Sequence, residues 1–129
     1  MSREPGSSRS FEPTPAGVFH LFEVSARGVV PAVRDPLRVG LRRCRPDDLR
    51  GGEPARNARA LSDVFDGAQG AHRDALVLGA ALALEVSGRC STMGEGVDAS
   101  TAALDDGRAS RLLDSVAAFR ATAAGSTHA

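Results

Sequence analysis

Tryptophan, tyrosine and lysine are absent from this chain, and phenylalanine occurs only five times. Stacking platforms for nucleic-acid bases or sugars are therefore scarce. All sixteen basic residues are arginine, and sixteen acidic residues balance them to a formal net charge of +0. That balance argues against a polyanion binder, so no nucleic-acid partner is expected. Cysteine is nearly missing too. Cys44 and Cys90 stand far apart, with no CxxC or Cys/His spacing, and they read as reduced thiols of a cytoplasmic protein rather than a metal site or a disulfide framework. Residues 1–10 lack the apolar run of a signal peptide. The longest apolar run, residues 75–84, is too short to cross a bilayer, so no membrane partner is expected either.

What is present fits one soluble globular domain: 129 residues, 42% hydrophobic and 25% charged. Residues 1–17, with Ser2, Ser7, Ser8, Ser10, Pro5, Pro13 and Pro15, read as a disordered leader. Residues 18–24 are β-branched and aromatic, which predicts a strand. After a turn, residues 29–33 return as a second strand, and Pro31 places it at an edge or a bulge. Between Arg34 and Arg50, Pro36, Gly40 and Pro46 break any period, and six arginines face three aspartates; a loop is expected. Pro54 suits the first turn of a helix whose apolar face is Leu61, Val64, Phe65 and Ala68, ended by Gly67 or Gly70. A second helix spans about 71–86, and its apolar 75–84 stretch should be surrounded by protein. Gly88 stops it.

Thr92 and Glu95 fit a capping box for a third helix, the hydroxyl accepting from the Glu95 backbone and the carboxylate reaching back. That helix carries Met93, Val97 and Leu104 and stops at Gly107. A fourth, from Arg108 to about Ala121, lines up Leu112, Leu113, Val116 and Phe119, and residues 123–129 form a frayed tail. The expected fold is an α/β piece: a short N-terminal β-hairpin, then about four α-helices, mostly helical, with its body at 18–122. There is no internal repeat.

Side chains able to do chemistry are few. Gly51-Gly52 ahead of a helix resembles a phosphate cradle, but it lacks the GxxxxGK[ST] or GxGxxG context and Glu53 adds negative charge, so it reads as a structural turn. His20, His72 and His128 share no ligand spacing; His72 near Asp74 reads as a helix start, not a catalytic pair. Arg43 and Arg45 flank Cys44 and would lower its thiol pKa, but no base accompanies it. Arg34, Arg38, Arg42, Arg43 and Arg45 form a cluster that reads as a solvated loop rather than a phosphate grip. No serine sits in a nucleophile elbow.

Asp35-Pro36 with Gly40-Leu41, Asp48-Leu49-Arg50-Gly51-Gly52, Asn57-Ala58, Arg73-Asp74, Glu95-Gly96-Val97 and Asp105-Asp106-Gly107-Arg108-Ala109 follow one another along the chain. Their order over roughly residues 18–119 resembles the C-terminal part of the catalytic domain of anthranilate phosphoribosyltransferases, glycosyltransferase family 3. One departure is visible: Gly79 precedes Ala80-Ala81 where the family usually has asparagine, costing about 1 kcal/mol of helix propensity against alanine. The resemblance implies transfer of a phosphoribosyl group from phosphoribosyl pyrophosphate to the amino group of anthranilate, in tryptophan biosynthesis, with Mg²⁺. It also implies a donor site made from a Gly-Thr-Gly-Gly-Asp loop, a neighbouring Asn/Ser/Thr segment and a Lys-His-Gly-Asn-Arg stretch, with the metal on an acidic pair that precedes the hairpin. None of these occurs in the chain. The expectation is a truncated relative, inactive alone, with no catalytic, cofactor-binding or metal residue of its own and no cofactor. The alternative is a non-catalytic helical interaction module docking onto a companion subunit that carries the donor-binding segment, or a homo-oligomer. Pyrimidine nucleoside phosphorylases share a similar plan, but Asp48 to Gly52 favours the anthranilate branch. Three short helices and a hairpin are too little to cover an all-apolar helix, so exposed apolar surface is expected as well.

Overall fold

Aromatic and β-branched residues set the first element, β1 (Phe19–Ser25). A two-residue turn, Ala26-Arg27, returns the chain into β2 (Gly28–Arg34). The pair is antiparallel, with Phe19 opposite Arg34, Phe22 opposite Pro31 and Ser25 opposite Gly28. Pro31 is tolerated as expected, because in a sheet of two strands both are edges. The computed structural model describes residues 12–125; residues 1–11, the first part of the expected leader, and 126–129, the end of the tail with His128, lie outside them. Ahead of β1, Pro15 is fully buried and its carbonyl accepts from the Cys44 N–H at 3.4 Å.

The alternation of β1 and β2 separates two faces. Phe19, Leu21 and Arg34 turn toward the helices: Phe19 is buried and Leu21 packs on the core. Phe22, Val24, Val29 and Val33, on the other face, are exposed. The segment after β2 is more ordered than a loop. It holds two short 3-10 turns, Pro36–Val39 and Pro46–Leu49. Asp35 caps the first by accepting from the Leu37 N–H at 3.0 Å, and Gly40 closes it at φ 84, a conformation that suits glycine. The result drives Pro36 and Leu41 into the interior.

Four helices follow: α1 (Pro54–Phe65), α2 (Ala71–Val86), α3 (Met93–Asp105) and α4 (Arg108–Gly125). Pro54 opens α1, and Val64 is its buried residue; Leu61, Ala68 and the other positions of the expected face are less covered. Thr92 caps α3 by accepting from the Glu95 N–H at 3.1 Å. The Glu95 carboxylate accepts from the N–H of Ser91 at 2.8 Å, one residue before the cap. α4 continues to Gly125, so residues 123–125 are helical rather than frayed.

The core sits where α2 meets α3. Leu78 and Ala81 of α2 are 0% exposed, and Val77, Met93, Val97 and Leu104 are buried around them. A Cβ built on Gly96 would stand 2.7 Å from the Ala81 carbonyl oxygen and 2.8 Å from its Cα. The two backbones therefore touch, and only glycine fits. At the far end Arg73, 5% exposed, donates to Asp105 at 2.7 Å, with its other terminal nitrogen buried and unpartnered.

Apolar surface is left open, as the small number of elements implied, and α2 is not surrounded as an all-apolar helix should be: Leu76, Gly79, Ala83 and Val86 are exposed, because no element covers that flank among the described residues. The apolar stripe of α4 adds to it. Leu112, Val116 and Phe119 all lie open, and no residue of α4 is fully buried. Among the described residues no helix is long and apolar enough to cross a membrane.

One chemical change at two glycines gives opposite signs. Gly96→Ala overpacks the α2–α3 contact and is expected to destabilise by about 1–3 kcal/mol in denaturant unfolding. Gly79→Ala adds a methyl into open space and is expected to stabilise by about 0.5–1 kcal/mol. Asp105→Ala, leaving the buried guanidinium without its acceptor, is expected to cost about 1–3 kcal/mol, and Asp105→Asn less.

Candidate functional site

The Gly51-Gly52 turn was the nearest thing to a phosphate cradle. In the structure the N–H of Gly52 donates to the side-chain oxygen of Asn57 at 2.9 Å, and the Asn57 amide returns a bond to the Gly52 carbonyl at 3.1 Å. The donor a phosphate would need is already taken by α1's own side chain. A Cβ on Gly52 would press on Arg56 at 3.1 Å, so that glycine makes room for a neighbour. Just before it, Asp48 accepts from the Arg45 N–H at 2.9 Å and from its guanidinium at 3.1 Å. The backbone bond first, then the side-chain bond, holds the Asp48 carboxyl below its usual range.

The arginine cluster is mostly neutralised. Arg34 bridges Glu85 at 2.6 Å and Glu23 at 2.7 Å. Burial pulls its pKa down, but the two carboxylate bonds outweigh that and the net shift is upward. This triad straps the hairpin to the end of α2. Arg43 meets Asp35 at 2.9 Å, and Arg50 meets Asp47 at 2.8 Å. An open cleft of about 940 Å³ lies under the strap, lined by Phe19, Leu21, Arg34, Glu85, Thr92 and Met93 among others. Its cation is spoken for, so the cleft has no free positive charge for a pyrophosphate.

Cys44 is corrected. Burial pushes its thiol pKa up, Asp48 and Asp74 push it further, and Arg43 opposes them without prevailing. Arg45 cannot activate it because Asp48 holds its guanidinium. Asp74 accepts from the Arg42 N–H at 3.3 Å and makes no bond to His72, which is exposed, as is His20. Among the described residues no three His, Cys, Asp or Glu side chains stand together as a metal site.

A second concavity, about 720 Å³, runs between α2 and α3 toward the start of α4. Phe65, Leu76, Ala80, Leu84 and Ala103 line it, with Ser100, whose buried hydroxyl has no partner. Arg89, Arg108 and Ser87 stand on its lining too, but no carboxylate, histidine or thiol does.

Sequence reasoning missed the side chains that join distant segments. In the sequence Arg73 stands only beside Asp74; its partner, Asp105, is 32 positions away. Glu85 meets Arg34 across 51. The one available signal was a charged residue at each end of an apolar helix. The Asp105-Asp106-Gly107-Arg108 run is now explained. Asp105 holds Arg73, Asp106 accepts from the N–H and guanidinium of Arg108 at 3.0 and 2.7 Å, and Gly107 turns the corner at φ 81.

The model of the glycosyl transferase family, a/b domain, matches residues 12–110. The anthranilate phosphoribosyltransferase of Azorhizobium caulinodans is 44% identical over 108 residues, covering 84% of this chain and 28% of that protein. That of Mesorhizobium japonicum is 46% identical over 79 residues, 61% of this chain and 24% of the relative. The Paramagnetospirillum magneticum protein is 47% identical over 78 residues, 60% and 22%. The chain thus spans about a quarter of the length of the curated relatives it matches. With the family model covering most of its length, the chain belongs to the glycosyl transferase family, a/b domain.

Proposed function

We propose that the chain is the scaffolding, C-terminal portion of a phosphoribosyltransferase a/b domain and that these 129 residues carry out no transfer by themselves. The relatives are named anthranilate phosphoribosyltransferases, and the reaction served is the one the family resemblance implies: passage of the phosphoribosyl group of phosphoribosyl pyrophosphate to the amino group of anthranilate, a step of tryptophan biosynthesis in the cytoplasm. One observation carries it: the residues that mark the family are already committed to building corners. Asn57 closes on Gly52, Asp48 on Arg45, Asp105 on Arg73, Asp106 on Arg108, and Gly96 lies against Ala81.

Phosphoribosyl transfer requires the opposite disposition. A leaving pyrophosphate is stabilised by free N–H donors, cations and a metal ion placed where charge develops. Among the described residues no three His, Cys, Asp or Glu side chains stand together to hold the Mg²⁺ of such a reaction, and Arg34 and Arg43 are paired with carboxylates. The residues here do not fit the metal.

A second role is supported by the open apolar groove and the bare flank of α2. In it the chain docks, as a helical module, onto a companion polypeptide that supplies the donor-binding segment. Surface of this kind marks an interaction site.

Purified chain incubated with labelled phosphoribosyl pyrophosphate, anthranilate and Mg²⁺ is expected to give no product above a protein-free blank. Adding a polypeptide that comprises the part of the Azorhizobium caulinodans relative outside the match is expected to restore turnover. Product from the chain alone would overturn the inactive-scaffold assignment.

A further inference from the structure

We draw no further inference here: the strongest candidate, the apolar groove between α2 and α3 with the unpartnered Ser100 hydroxyl in its wall, is open in a chain that spans about a quarter of its relatives' length, and nothing in the structure shows what covers it.

Discussion

The backbone contact between α2 and α3 at Ala81 and Gly96 is the constraint on which the rest depends. At 2.7 Å from a Gly96 Cβ position to the Ala81 oxygen, the helices are as close as a missing side chain permits. That approach puts Leu78 and Val77 against Val97 and Met93, sealing the best-covered part of the core. It also fixes where α3 ends, and so sets Asp105 within reach of the buried Arg73. Widen the pair and the corner into α4 loses its anchor.

Seen from that contact, the family motifs fall into one class. Asp35 caps a turn that drives Pro36 and Leu41 inward. Asp48 and Asn57 shape the entry to α1, and Asp106 and Gly107 make the exit into α4. Short polar side chains and glycines of this kind cost little entropy to fix and satisfy orphaned backbone groups at element ends. Their hydrogen bonding is used up locally. Electrostatically the picture is similar, with Arg34 and Arg43 held by carboxylates and the pKa of the Cys44 thiol pushed up by burial and its acidic neighbours.

Much of this was legible in the residues because it is local. Pro54 and Gly67 bracket α1, Thr92 starts α3, and the β-branched residues of 18–24 and 29–33 form the hairpin. Two short turns hid in the segment after β2, where Pro36 and Pro46 read as breakers although proline suits a first turn. Long-range pairs such as Arg34 with Glu85 carry no short-range signature. Periodicity also announces an apolar face without saying whether anything covers it. Leu112, Val116 and Phe119 mark α4 as amphipathic, yet Phe119 is 74% exposed. The same holds for the outer flank of α2.

A scaffold whose motif side chains are already paired should not hold the sugar donor. Calorimetric titration of phosphoribosyl pyrophosphate with Mg²⁺ into the purified chain measures this most directly. Heats of dilution alone are the expected result. A saturable, one-to-one binding isotherm that needs the metal would contradict it.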